Sequence, residues 1–272
     1  MKNKSSLALL VVVSLLALLP LWMMGILAFS DSTAVMQHHG VLWMPLKPSL
    51  HAFQALFSDA RLGLALGNSI AVAVVATSLH VFSSAMAGYA LVHLPCVGRQ
   101  WLTLGVFLTI LVPPQVNSIP LFILLKQVGL LNSYMALILP AVVSGFGVML
   151  FRQWFLSFPI ALKEAAELEG ATVWQTFWHV ALPNAKSPMI SLAVLGFISL
   201  WGSFLWPLLA VQDERLMTLP LYLAQIKQQY RDVLDWPILM ASATLAILPV
   251  VVFFVILQKP FFEQASASEG IK

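Results

Sequence analysis

Six stretches of this chain, residues 7–29, 65–92, 101–123, 135–151, 188–210 and 237–258, run without a single Asp, Glu, Lys or Arg. A helix of about 20 apolar residues crosses the hydrocarbon of a bilayer, and a soluble globule has no use for six of them. Only 9% of the 272 residues are charged and 60% are hydrophobic, against about a quarter charged in ordinary soluble domains. Polarity does not alternate along these stretches as the strands of a membrane barrel require. The sequence therefore predicts an all-α, polytopic membrane protein of about six transmembrane helices, in one domain over 1–272.

Charge predicts the orientation. Lys2 and Lys4 precede the first apolar run, which is longer than the core of a cleaved signal peptide and carries Trp22, so it is expected to stay as a span. With the N-terminus inside, the inner side holds Lys2, Lys4, Arg99, Arg152, Lys163, Lys186, Lys259 and Lys272, and the outer side Lys47, Arg61, Lys126, Arg215, Lys227 and Arg231. This bias toward the inside places both termini in the cytoplasm. A formal net charge of +3 is too small to indicate nucleic acid, and the six His form no ligand-spaced cluster, so no metal is expected. Cys96, the lone cysteine, reads as a small apolar filler.

Between the fourth and fifth spans lies a compact polar island, residues 158–187. Pro159 suits the first turn of a helix, Ala161 to Leu168 are good helix formers, and Gly170 supplies a left-handed stop. Thr172 followed by Gln175 is a capping-box pattern. It opens a second helix whose Val173, Phe177 and Val180, flanked by Trp174, Trp178 and Ala181, form a broad apolar stripe; Pro183 and Pro188 delimit the turn into the fifth span. Such a pair of short helices presents a knob that fits a groove of another protein. The same residues also suit an amphipathic element lying on the membrane surface.

Glu164-Ala165-Ala166, three residues, Gly170, nine residues, Val180, then Leu182-Pro183 resembles the cytoplasmic signature loop of permease subunits in binding-protein-dependent ABC importers. Glu169 stands where that family usually has Asp, so charge is kept. The resemblance extends through Leu19-Pro20-Leu21-Trp22, Asn68-Ser69, Val112-Pro113-Pro114-Gln115, Ile119-Pro120-Leu121-Phe122, Gly129-Leu130-Leu131-Asn132 and Phe204-Leu205-Trp206-Pro207-Leu208. It is to the carbohydrate-uptake branch, specifically the shorter of two unlike permeases in maltose- or glycerol-3-phosphate-type systems.

The resemblance implies a bacterial inner-membrane protein that carries a sugar, oligosaccharide or polyol phosphate by alternating access. Its partners would be a second, different permease, a dimer of ATP-binding subunits and an extracytoplasmic solute-binding protein. Glu164, Ala165, Ala166, Glu169, Gly170, Leu182 and Pro183 would then form the contact that couples it to the ATPase. No phosphate-cradling G-x-x-x-x-G-K-[ST] loop occurs in the chain, so ATP and Mg would be held by the partner, and this chain would bind no cofactor and catalyse no reaction.

Two groups are candidates for the solute pathway. Gln115, Asn117 and Ser118 follow the proline pair of the third span. Prolines there free backbone carbonyls, which suits either a wet cavity or a kink packed on neighbouring helices. Trp201 and Phe204 offer aromatic faces to a sugar ring, while Trp206 fits an interfacial belt. Ser69, Ala73, Thr77, His80, Ser84 and Gly88 recur at helical spacing in the second span and read as a packing stripe. An ion-coupled transporter is the alternative function, but the spans contain no Asp or Glu to partner His80. A membrane enzyme would need a nucleophile, metal cluster or carboxylate pair at a span boundary, and none is evident.

Overall fold

The computed structural model describes residues 4–38, 40–229 and 235–269, with side chains over 6–38, 40–228 and 235–256. Lys2, Arg231 and Lys272, used above for orientation, lie outside the described residues, as do the side chains of Lys4 and Lys259. About 80% of the chain is helical, and the described residues form no strand. That is the all-α membrane fold expected, because a backbone in hydrocarbon has to satisfy its own N–H and C=O groups.

The chain divides into two compact units, residues 1–66 with 218–251 and residues 67–217 with 252–272. The first unit holds α1 (Lys4–Ala28), α2 (Ser32–Gln37), α3 (His51–Ser58) and the first residues of α4 (Ala60–His93). From Ser6 to Trp22 every side chain of α1 is exposed, an apolar surface suited to lipid or another membrane chain. Asp31 caps α2 by accepting from Ala34 N at 3.0 Å, and Ser32 Oγ donates to Asp235 Oδ1 at 2.8 Å. Before α4, Asp59 accepts from Arg61 Nη2 at 2.8 Å and from Tyr222 Oη at 3.0 Å. These bonds hold its carboxyl below the ordinary Asp value of 3.8, Arg61 being the largest cause.

In the second unit, α4 continues to His93 and is followed by α5 (Arg99–Leu111), α6 (Pro114–Gln127), α7 (Tyr134–Ile138) and α8 (Gly145–Leu156). The loop helices come next: α9 (Ile160–Leu168), α10 (Val173–Thr176), a π turn over Phe177–Ala181 and α11 (Leu182–Asn184). They lead to α12 (Lys186–Trp201) and α13 (Leu205–Ala210). Outside this unit, α14 (Leu219–Gln229) and the start of α15 (Trp236–Glu269) belong to the first.

Three expected spans are not straight, continuous helices: residues 135–151 are interrupted between a 3-10 turn at Leu139–Ala141 and α8, where Ser144 is extended. Residues 101–123 divide into α5 and α6, which meet at 103°. Val112 and Pro113 are extended, with ψ 117 and 135, because a proline drives the residue before it out of the helical region and removes a donor. Residues 188–210 divide at Gly202–Ser203 into α12 and α13, so the break precedes Pro207. A further bend of 75° joins the loop helices to α12 at Ala185. Among the described residues, four helical segments, Ser6–Ala28, Ala60–His93, Tyr134–Leu156 and Trp236–Ile256, are long and apolar enough to cross a membrane, and the bent pairs bring the number to as many as six.

The α4 stripe does what small residues do between membrane helices. A side chain at Gly88 would put its Cβ 2.6 Å from Phe151 Cβ and 2.8 Å from the Arg152 backbone nitrogen, so only glycine lets α4 and α8 approach this closely. His80 Nε2 and Ser144 Oγ lie 2.7 Å apart, which makes His80 a tie between helices. In lipid the drive for such contacts is close packing rather than escape from water.

Candidate functional site: the loop between α8 and α12

The loop is assembled by local signals. α9 ends on a Schellman motif: Ala171 N donates to Ala166 O and Gly170 N to Glu167 O, both at 3.0 Å. Gly170 has φ +82, the left-handed conformation that a Cβ penalises. Thr172 then caps α10 with the expected box: its Oγ1 accepts from Gln175 N at 3.3 Å, and its own N donates to Gln175 Oε1 at 2.8 Å. Lys163 and Glu167 form an i,i+4 pair at 3.2 Å.

One side of the loop is anchored. Ala166, Thr176, Phe177, Ala181 and Leu182 are buried. Phe177 lies 5.2 Å from the Tyr89 ring of α4, and Tyr89 packs edge-on against Phe155 of α8 at 5.3 Å. The other side is free. Glu164, Ala165, Glu169, Gly170 and Pro183 are exposed, among uncovered apolar side chains: Leu168 is 90% exposed and Trp174 52%.

Of the seven residues expected to contact a partner, five face outward, while Ala166 and Leu182 face the bundle. The continuous stripe expected over the second helix is also split, with Val173, Trp174 and Trp178 exposed but Phe177 and Ala181 buried. The π turn inserts an extra residue per turn and so shifts the helical phase, which periodicity of 3.6 does not anticipate.

The pathway candidates sit on two breaks rather than in one cluster. Gln115 and Asn117 are exposed on the first turn of α6, and Ser118 is buried with its Oγ donating to Pro114 O at 3.3 Å. Trp201 is buried at the end of α12, stacked on Phe197 at 5.8 Å, and Phe204 is exposed beyond the Gly202 break. Trp206 donates its indole N–H to Ala136 O at 2.8 Å, so it ties α13 to α7, where a belt residue was expected.

Sequence reasoning missed the polar links at the end of this unit away from the loop. Asn68 Nδ2 donates to Arg215 O at 2.8 Å and Met217 O at 2.9 Å, and its Oδ1 accepts from Tyr134 Oη at 2.7 Å. Asn132, at φ +57, accepts from Gln212 N at 3.0 Å and Asp213 N at 2.8 Å. An Asn inside an apolar run was the available signal. Among the described residues no group of His, Cys, Asp and Glu is arranged to hold a metal ion.

A model of the family described as "Binding-protein-dependent transport system inner membrane component" matches residues 80–262, more than half of the chain and inclusive of the loop. The chain belongs to that family. This permease is 32% identical over 251 residues to the arabinooligosaccharides transport system permease protein AraQ of Halalkalibacterium halodurans, covering 92% of this chain and 89% of that protein. It is 30% identical over 264 residues to the sn-glycerol-3-phosphate transport system permease protein UgpE of Yersinia enterocolitica, covering 94% and 92%. It is 31% identical over 209 residues to the lactose transport system permease protein LacG of Rhizobium radiobacter, covering 77% and 76%.

The same fold occurs in the crystal structure of a bacterial ABC transporter involved in import of the acidic polysaccharide alginate. That likeness has a TM-score of 0.85 at 23% identity and covers 95% of both chains. The permease is thus a multi-pass inner-membrane protein of a transport system. These relatives are permeases rather than ATP-binding subunits, and they lend no support to an ion-coupled transporter.

Proposed function

We propose that this permease imports a carbohydrate-like solute, whether sugar, oligosaccharide or polyol phosphate, by alternating access driven by ATP hydrolysis on separate subunits. The relatives' solutes, arabinooligosaccharides, lactose and sn-glycerol 3-phosphate, support the solute class. The observation that carries the coupling is the two-sided loop: a buried aromatic face joined to α4 and α8, and an exposed face with Glu164, Glu169 and Leu168. A load applied to the exposed face reaches two membrane helices through close ring contacts rather than through flexible chain.

In this reading the loop faces the cytoplasm, with both termini on that side, and docks in a groove of one subunit of an ATPase dimer that holds ATP and Mg. A second, different permease completes the membrane part, and an extracytoplasmic binding protein delivers the solute. A related transporter has been crystallised with an alginate pentasaccharide-bound periplasmic protein, which supports the last partner. Gln115, Asn117, Ser118, Trp201 and Phe204 are the pathway candidates, because each lies at or beside a helix break, where backbone carbonyls are available to solute hydroxyls.

Charge reversal at Glu164 tests the docking. In the reconstituted complex, Glu164→Lys is expected to abolish solute-stimulated ATP hydrolysis while membrane insertion stays normal. Wild-type stimulation in that variant refutes the role of the loop.

A further inference from the structure

At the loop end of the second unit, three buried polar atoms make no hydrogen bond: His93 Nε2, Thr103 Oγ1 and Arg152 Nε. They belong to α4, α5 and α8. α5 and α8 cross where Val106, Thr109 and Ile110 surround Gly145. Thr103 precedes Val106 by three residues, and Arg99 precedes Thr103 by four, so helical spacing keeps both on that seam. Arg152, seven residues beyond Gly145, occupies the same seam from the α8 side, and its backbone also meets α4 at Gly88.

Arg99 Nη2 donates to Leu94 O at 2.5 Å. That contact folds its side chain over the end of α4, within electrostatic reach of His93. Lys163, the next cation, is engaged by Glu167 at 3.2 Å. Arg152 has no ion-pair partner among the described residues. A partly buried guanidinium without an anion is costly, and guanidinium groups favour phosphate because their forked donors match its oxygens. The flanking surface is apolar and open, with Trp101, Leu102 and Leu156 all exposed.

We propose that Arg99, Thr103 and Arg152 bind the phosphate of an anionic phospholipid at the boundary of the leaflet nearest the loop. The acyl chains of that lipid lie along the exposed face of α5. A free phosphate offers the same headgroup chemistry, but the apolar rim favours a ligand that brings its own hydrocarbon. Basic clusters between helix ends at a membrane boundary suit such headgroups. The site is independent of which solute is carried and of whether the loop docks on an ATPase.

The test is native mass spectrometry of the purified full-length permease, delipidated and then titrated with phosphatidylglycerol or phosphatidylcholine. Wild type is expected to retain phosphatidylglycerol preferentially. Arg152→Gln and Arg99→Gln are each expected to weaken that retention about fivefold, with phosphatidylcholine unchanged and Arg152→Lys weakened less than Arg152→Gln, because an ammonium keeps the charge but not the forked donors. Arg99 is exposed, so its variant keeps the test valid if Arg152→Gln fails to fold. Equal retention in wild type and Arg99→Gln, or no preference for the anionic lipid, overturns the site. Displacement of phosphatidylglycerol by excess inorganic phosphate overturns the lipid as occupant. The binding readout needs no ATPase, so its failure is separable from failure of the coupling reading.

Discussion

Asn68 and Tyr89 lie 21 residues apart on α4, about 30 Å along the helix, and the two ends they mark are fastened by different chemistry. At Tyr89 the neighbours are Phe177, Phe155 and other buried apolar residues such as Phe151 and Leu182. At Asn68 one amide makes three hydrogen bonds, to two backbone carbonyls and the Tyr134 hydroxyl, close to a small apolar cluster of Val72, Ala136 and Ala210. Dispersion contacts are individually weak and have no preferred direction, so the loop end resists separation while tolerating small sliding and rotation. Hydrogen bonds weaken steeply once misaligned, so the Asn68 end holds its register. A loop that is to be moved as a body suits the first arrangement, and a helix end that keeps its place suits the second.

The strongest way to break this comparison is to empty the ring cluster. Phe177→Ala should destabilise the permease by about 3–5 kcal/mol, read as a lowered unfolding midpoint of the purified protein. A shift no larger than that of an exposed control such as Leu168→Ala would show that the rings do not anchor the loop. Asn68→Ala should cost about 1–3 kcal/mol, because a buried amide's partners lose their bonds at once. A double-mutant cycle with Tyr134→Phe should show strong non-additivity, since the pair shares a 2.7 Å bond.

Gly170→Val sharpens the contrast at the exposed face. The left-handed φ is strained for a branched side chain, and a cost of about 1–2 kcal/mol is expected. A cross-link from the loop to the proposed ATPase partner should weaken, with a drop in the unfolding midpoint smaller than that of Phe177→Ala.

The smallest effect concerns pH. Asp59 is held below its ordinary value of 3.8 by Arg61 and Tyr222. Its contribution is therefore complete above that value and is lost as pH falls through the lower folded-state value. The unfolding midpoint should drop more steeply below about pH 4 in wild type than in Asp59→Asn.

Much of the loop was legible because its determinants lie within a few residues of one another. Gly170 is needed for a left-handed stop wherever the loop packs, and the Thr172–Gln175 box closes on itself. Which side of the loop is buried was not legible, because the π turn at Phe177–Ala181 rotates the later residues out of helical phase. Leu182, just past that turn, consequently faces the bundle, whereas Ala166 lies in α9 ahead of it and is buried by packing of the loop rather than by any shift of phase. The proposed site of Arg99, Thr103 and Arg152 was equally hidden, since it draws on α5 and α8, two helices far apart in the sequence.

Apolar length by itself determined that this chain is a helical membrane protein, because hydrocarbon leaves a backbone no other partner than its own. It also located the four long helices, from Ser6–Ala28 to Trp236–Ile256, to within a few residues. The proline pair after Val112 and the Pro183–Pro188 turn marked two bends in advance, and only the tertiary structure decided that the fifth span breaks at Gly202–Ser203, ahead of Pro207, and which faces meet. Hydropathy adds up along a chain, one residue at a time. A bend persists only when another helix or side chain completes the bonds it frees, and those partners come from distant parts of the sequence.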